Sequence, residues 1–341
     1  MISSRYSRQI LFGEIGIDGQ QRLADSLIVI LGCGALGTVQ AEALCRAGVG
    51  QLRIVDRDFV EESNLQRQTL FTEDDARSVL PKAVAAQRRL GEVNSEVRVE
   101  ALVADIHSNN IENLVQGAAC ILDATDNFET RFLINDAAIK HRIPWVYGAA
   151  VGSYGVSMTV LPPETPCLRC VLEKLPAPGS TPTCDTAGVL SPIVNMIASV
   201  QVAEALKILS GNIGRINRRM LCFDVWENSY RQIEISNATD EGDCPCCQQR
   251  RFEFLEGVGS AATTLCGRDS VQISVRGGSG LNLKELAQRL KAVGKVQINE
   301  FLLRLTVDQF EIAVFPDGRG IVRGTKDAQV ARSLYARYVG V

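Results

Sequence analysis

The sequence predicts an α/β protein built on a doubly wound, mostly parallel sheet, with a small second α/β domain behind it. Three observations predict this. A short apolar run enters a glycine-rich turn and then a helix pattern at 27–47. Strand and helix patterns alternate as far as Pro144. A composition break at 257–264 (GVGSAATT) precedes a fresh strand–helix pattern. The expected boundaries are 1–255 and 256–341.

Residues 1–26 are polar and mixed. Leu27–Leu31 is apolar and β-branched, the pattern of a strand buried on both faces. Gly32–Gly37 is a turn, and Thr38–Ala47 a helix stopped at Gly48. Gln51–Val55 is a second strand ending at Asp56. A helix runs from Pro81 to Leu90, with Pro at a first helical position. Val97–Leu102 and Ala119–Ala124 are strands and Glu129–Lys140 a helix. Trp145–Ala150 and Gly155–Leu161 are strands. Residues 176–188 (PAPGSTPTCDTAG) are composed as a mobile loop. Val189–Leu209 is a long apolar helix, and Met220–Asp224 with Arg231–Ile235 a strand pair. The second domain reads as strand Val271–Val275, helix Leu283–Val293, strands Val296–Ile298, Leu302–Val307 and Phe310–Phe315, and helix Asp327–Val339, a small α/β sandwich.

Composition narrows the function classes. A net charge of −3 gives nucleic acid or anionic membrane no global electrostatic attraction. No uninterrupted apolar run reaches the roughly 18 residues of a membrane span. Residues 1–20 lack the apolar core of a signal peptide. A cytoplasmic location is expected. Eleven cysteines are many for that compartment, so clusters of them point to metal or sulfur chemistry. With two histidines, His107 and His141, chemistry built on a histidine base has thin support.

Gly32-Cys33-Gly34-Ala35-Leu36-Gly37 places G-x-G-x-x-G between a strand and a helix. Glycines permit the tight turn and close approach of backbone to phosphate, which rests on the helix N-terminus. Asp56, about 20 residues on, stands where an acid bonds a ribose hydroxyl. The bland reading is that glycines only tighten strand–helix packing. The ordered arrival of strand, glycines, helix and acid argues against it. Alone, the pattern favours a dinucleotide oxidoreductase.

Residues downstream of Asp56 shift the balance toward a triphosphate. Asp58 and Asn64-Leu65-Gln66-Arg67-Gln68 lie just past the ribose acid. Arg67 can neutralise phosphate oxygens bidentately. Lys82 opens a helix and offers a point charge. Asp126, beside Asn127, follows a strand at its carboxyl end, where ligands bind in open α/β sheets. A carboxylate there suits Mg²⁺, which bridges phosphates through one or two acids. Each residue alone would be ordinary solvated surface. Together they fit a triphosphate better than a hydride carrier.

The chain resembles the ThiF/MoeB/HesA family, the prokaryotic relatives of ubiquitin-activating E1 enzymes. The resemblance rests on RYSRQ at 5–9, GCGALG at 32–37, the Asp56–Asp58 region, NLQRQ at 64–68, Lys82, TDNFETR at 125–131 and the cysteine pattern. It covers about residues 1–250. It implies a Rossmann-like adenylation domain and ATP-dependent adenylation of the C-terminal glycine of a small ubiquitin-like sulfur carrier ending in Gly-Gly, with release of pyrophosphate. It further implies that Asp56 holds the ribose, that Asn64, Arg67 and Lys82 hold the phosphates, and that Asp126 binds Mg²⁺. Asp58, Gln68 and Asn127 complete the nucleotide set. Arg8 would reach the neighbouring subunit's ATP site, implying a homodimer. The chemistry agrees: a carboxylate attacking phosphorus is already ionised, so charge neutralisation and alignment matter more than a general base.

Cys167-Leu168-Arg169-Cys170 and Cys244-Pro245-Cys246-Cys247 form two C-x-x-C units, the spacing of a closed structural zinc site. A redox dithiol is the alternative. Cys246 stands as a possible substitute for either neighbour, although only Cys244 and Cys247 keep the two-residue spacing. The metal would pin the later segment onto the main body. Cys184 lies in the mobile loop ahead of a helix, where a dipole lowers a thiol pKa. By resemblance it accepts the activated acyl group or relays a persulfide; its bland reading is an incidental loop thiol. Cys33, Cys45, Cys120 and Cys222 read as apolar filler or core. Cys266, near the domain junction, points to no role.

Some relatives carry a rhodanese domain after the E1-like unit. Residues 265–341 have only Cys266, with no loop behind it to cradle a persulfide, so an active rhodanese is not expected here. The last residues, Tyr335–Val341, lack Gly-Gly, so self-adenylation is not expected either. A persulfide donor such as a cysteine desulfurase or a separate rhodanese is the expected sulfur source. Adenylation of a tRNA base or a peptide C-terminus, a NAD-dependent oxidoreductase and a non-catalytic scaffold are the competing readings.

Overall fold

A computed structural model describes residues 4–176, 183–239, 244–257, 270–273 and 281–340. Residues 177–182 of the expected mobile loop, 258–264 of the composition break, and Cys266 lie outside the described residues. The chain separates into two compact units, Met1–Val258 and Gly259–Val341.

The first unit holds an eight-stranded sheet. Its strands are β1 Leu27–Leu31, β2 Gln51–Val55, β3 Arg98–Leu102, β4 Cys120–Asp123, β5 Trp145–Val151, β6 Tyr154–Val160, β7 Arg219–Asp224 and β8 Ser229–Glu234. They run in the order β3-β2-β1-β4-β5-β6-β7-β8. Pairings from β3 through β5 are parallel, and those from β5 to β8 antiparallel. The apolar run of β1 is explained by burial on both faces. Ile28 and Ile30 join one core with the helices Ala35–Ala47, Lys82–Val93 and Ser191–Ser210. Val29 and Leu31 join a second core with the helices Ile111–Val115 and Phe128–His141. Between β1 and β4 the strand order reverses, which makes that crevice the ligand-binding position of a doubly wound sheet.

At two boundaries the departure from the sequence expectation has a direct physical cause. The helix after the glycine turn begins at Ala35, three residues before the apolar pattern, because the turn itself supplies the first helical turn. Pro81 is the N-cap of its helix instead of a first helical residue, since its extended ψ belongs to a bridge with Phe59. The helix Ser191–Ser210 is long and apolar enough to cross a membrane by length and composition. Ten of its residues are buried in this unit, among them Gln201 and Glu204, and Glu204 pairs with Lys207, the pattern of a core helix.

The second unit is a two-layer α/β structure. Its antiparallel strands are β9 Ser270–Ile273, β10 Lys295–Ile298, β11 Leu303–Val307, β12 Phe310–Val314 and β13 Gly320–Arg323, ordered β10-β11-β12-β13-β9. Both helices, Leu283–Leu290 and Ala328–Tyr338, pack on one face of this sheet through Leu286, Leu290, Ala331 and Tyr335. The strand β13 is absent from the sequence expectations. Only four residues long and led by glycine, it shows no alternation to detect, yet it joins β12 to β9.

Candidate nucleotide site and cysteine cluster

The ends of β1, β2 and β4 bring the glycine loop and the acidic residues to one edge. Gly32 has φ +97°, and its amide donates to Val55 O at 2.8 Å. A Cβ on Gly32 would lie 2.4 Å from the Ala124 carbonyl oxygen, and one on Gly37 would lie 2.2 Å from Gly32 O. These two glycines are demanded by backbone against backbone. Gly34 is different. Its Cβ would enter open space over the helix N-terminus, with Gln68 Nε2 its nearest neighbour at 3.8 Å. Gly32→Ala should therefore cost on the order of 3 kcal/mol of stability, through left-handed strain plus the clash, measurable as a drop in urea midpoint. Gly34→Ala should leave that midpoint close to wild type and weaken nucleotide binding instead.

Asp56, at the end of β2, ties the loops together. Its carboxylate accepts from Cys33 N at 2.6 Å and from Asp58 N at 2.7 Å. Burial raises its pKa above the usual carboxylate value, against the pull of Lys82. The loop beyond it zips onto the start of the next helix. Val60 N donates to Leu80 O at 2.8 Å and Lys82 N to Asp58 O at 2.9 Å. Lys82 is thus held nearly buried, with Nζ 3.4 Å from Asp58 Oδ2. Asn64 is buried, and its side-chain oxygen accepts from Glu61 N at 3.3 Å. Its carbonyl receives the amides of Arg67 and Gln68, which folds NLQRQ into a compact turn. Gln68 is buried, and its Oε1 has no hydrogen-bond partner. Arg67 is half-buried and donates to Ser63 O at 2.9 Å.

Asp126 is exposed just past β4. Asn127 beside it caps the helix Phe128–His141, accepting from Thr130 N at 2.8 Å. Beneath this loop lies a pair that sequence reasoning missed. Arg131 is buried, with Nε 3.2 Å from Asp123 Oδ2 and Nη2 donating to Thr125 O at 2.7 Å. Its guanidinium also lies over the rings of Phe128 and Tyr147. The Asp123 carbonyl accepts from two buried amides, Gln40 Nε2 at 3.1 Å and Gln201 Nε2 at 2.8 Å. The signal for this network was an acid and an arginine flanking an otherwise apolar strand end. Arg57 was missed too; it pairs with Asp105 at 2.7 Å. Burial works to lower its pKa, but Asp105, Asp58 and Asp126 outweigh that and raise it.

Arg8 is not in this assembly. Tyr6 is buried beside Asn94, and Gln9 donates to Ala47 O at 2.9 Å. Both contacts anchor RYSRQ at the carboxyl end of the helix Ala35–Ala47, about 20 Å from Gly34 at 1.5 Å per residue. Arg8 itself is exposed. The two histidines are also elsewhere, His141 against Glu112 and His107 in a surface turn.

Cys184 starts a helical turn, Cys184–Ala187, too short for a substantial dipole. Its Sγ lies 3.3 Å from Ala150 O near the carboxyl end of β5, the same edge of the sheet as Gly32 and Asp126.

The Sγ atoms of Cys167, Cys170, Cys244 and Cys247 lie within 4.8 Å of one another. Three separations are 3.8, 3.6 and 3.4 Å (167–170, 167–244, 170–247), near the roughly 3.8 Å edge of a tetrahedron with 2.3 Å metal–sulfur bonds. They are far too long for disulfides. The geometry fits a closed four-thiolate metal site. Cys246 lies outside that set of four, and Asn135 Nδ2 donates to its sulfur at 3.2 Å. Around the cluster, Phe254 N donates to Asp136 and Arg169 pairs with Glu253, so residues 244–257 are fastened to the helix Phe128–His141. Cys33, Cys45, Cys120 and Cys222 are buried.

Comparison with known proteins agrees with this geometry. The ThiF family model matches residues 6–246. The chain is 46% identical over 341 residues to the sulfur carrier protein ThiS adenylyltransferase of Bacillus subtilis, covering 99% of this chain and 100% of that protein. It is 39% identical to the Escherichia coli protein of the same name, covering 71% of this chain and 94% of the relative. It is 36% identical to the SAMP-activating enzyme E1 of Haloferax volcanii, covering 74% and 92%. Among solved structures, E. coli MccB with ATP superposes with a TM-score of 0.58 over 69% of this chain and 72% of that one, at 22% identity, a likeness of fold. The chain belongs to the ThiF family of E1-like adenylyltransferases.

Proposed function

We propose that this protein adenylates the C-terminal glycine carboxylate of a small ubiquitin-like sulfur carrier, using ATP and Mg²⁺ and releasing pyrophosphate. The observation that carries this reading is the cradle above Gly34, faced by the side-chain amide nitrogen of the buried Gln68, with Lys82 held beside the glycine loop by Asp58. The full-length similarity to a ThiS adenylyltransferase supplies the acceptor class. An oxidoreductase reading leaves Lys82 and Asp126 without work. No observation favours a tRNA base or a peptide as acceptor.

In this reaction a carboxylate oxygen of the carrier bonds to the α-phosphorus, and the bond to the bridging oxygen breaks. Pyrophosphate takes that electron pair. The chain aligns two anions and neutralises them. Amides at the start of the helix Ala35–Ala47 face the phosphates. Asp56 holds the ribose while bracing the glycine loop. Asn64, Arg67, Gln68 and Lys82 hold the phosphates. Asp58 keeps the Lys82 ammonium in place until phosphate competes for it. Asp126, with Asn127 fixing its loop, would hold Mg²⁺, which would supply charge stabilisation at the phosphates. Cys167, Cys170, Cys244 and Cys247 hold a structural Zn²⁺. Arg8, presented away from its own site, serves the site of a second copy, making the working unit a cytoplasmic homodimer. Cys184 accepts the activated acyl group or relays a persulfide from a cysteine desulfurase or rhodanese.

Exchange of labelled pyrophosphate into ATP, dependent on a carrier ending in Gly-Gly, tests the reading. No exchange with any such carrier would defeat it. Cys184→Ala should keep exchange within about threefold of wild type while stopping sulfur delivery to the carrier, read by mass spectrometry of its terminus. Loss of exchange itself in Cys184→Ala would assign the thiol to adenylation.

A further inference from the structure

The second unit contains a cleft of about 490 Å³ that the adenylation chemistry does not use. Arg289, in the last turn of the helix Leu283–Leu290, and Arg337, in the last turn of Ala328–Tyr338, both line it. Leu290, Val307 and Tyr338 give it apolar walls, and Arg337 stacks over the Tyr338 ring at 5.3 Å. Asp308 closes one side from the tight turn between β11 and β12, held at φ +51°.

A basic residue in a last helical turn complements the helix dipole, which explains either arginine singly. It does not explain why both line one concave site. Among the described residues, neither guanidinium has an acidic partner, and Asp308 pairs with neither. Two guanidiniums neutralise a dianion and match phosphate oxygens in geometry. Apolar walls beside a stacked tyrosine accommodate a flat ring. Asp308 suits a hydrogen-bond donor or positive charge on that ring. The E. coli and Haloferax relatives, covered over 94% and 92% of their lengths, have no counterpart for more than a quarter of this chain. The Bacillus relative is covered completely. A function housed in this unit is therefore separable from the reaction named for those shorter proteins.

We infer that this cleft binds a small phosphate monoester carrying a ring, at a site distinct from the ATP cradle. The inference does not rest on the proposed reaction. Phenyl phosphate is the probe, with inorganic phosphate and benzoate as the partial ligands, in equilibrium dialysis against the full chain. Phenyl phosphate should bind at least about tenfold more tightly than either partial ligand. The double variant Arg289→Ala/Arg337→Ala should weaken its binding about tenfold or more. Asp308→Asn should tighten it, because a negative charge leaves the cleft. Binding at the ATP cradle is common to all three proteins and cancels in the comparison. Both arginines are exposed, so the double variant should melt within about 2 °C of wild type and keep carrier-dependent exchange within about twofold. Equal phenyl phosphate binding by wild type and the double variant overturns the inference. So does an inorganic phosphate affinity equal to that of phenyl phosphate, or a tenfold loss of exchange in the double variant.

Discussion

Carrier-dependent pyrophosphate exchange should fall by about a thousandfold in Asp126→Ala, a loss of roughly 4 kcal/mol of transition-state stabilisation. The size follows from the charge placement. Asp126 is exposed beyond β4, so it supports no core and its removal leaves the fold intact. Its loop is fixed by others: Asn127 caps the following helix, and Arg131 grips the Thr125 carbonyl from below. Removing the carboxylate therefore tests chemistry without disturbing architecture. Circular dichroism melting should match wild type within about 2 °C. Excess Mg²⁺ should recover part of the activity, because a weakened metal site is filled by mass action. Full exchange by Asp126→Ala at ordinary Mg²⁺ would remove the metal role from this residue.

The second large effect concerns the cysteine cluster. Wild-type protein should carry close to one zinc per chain, and Cys170→Ser or strong chelation should lower the melting temperature by more than about 10 °C. Structural zinc sites contribute on the order of 10 kcal/mol to the folded state. Here the site joins residues far apart in sequence, with Cys167 3.6 Å from Cys244. Without the metal, residues 244–257 are held only by contacts such as those of Phe254 with Phe132 and Asp136 and of Glu253 with Arg169. Cys246→Ser is the internal control, since that sulfur lies outside the four converging thiols and accepts from Asn135, so zinc content should be unchanged. Metal retained in Cys170→Ser, or absent from wild type, would defeat the assignment.

The sheet was legible because its strands announce themselves. The runs at 27–31 and 51–55 are short and end at Gly32 and Asp56, and the folded strands have those same limits. The four-residue β13 was not legible, because a strand that short draws its identity from the neighbours it pairs with. In the site, the motif residues were readable singly, but their jobs were not all equal. Gly32 and Gly37 answer to the backbone, whereas Gly34 leaves room for a ligand. Nothing in the string GCGALG separates them; the fold does, setting the Ala124 carbonyl against Gly32 and the Gly32 carbonyl against Gly37. The network of Asp123, Arg131, Gln40 and Gln201 was hidden for the same reason.

Sequence alone carries the doubly wound fold class, the nucleotide motif, the two C-x-x-C units and the kinship with E1-like enzymes. These are local patterns, set by hydrophobic period and by residue types at fixed spacing. Folding in three dimensions settles which four of five clustered cysteines converge, that Gln68 meets the glycine loop, and that RYSRQ docks at the far end of the helix from it. Those outcomes depend on non-local packing, where burial and hydrogen bonding across distant segments choose among arrangements the local sequence leaves equivalent.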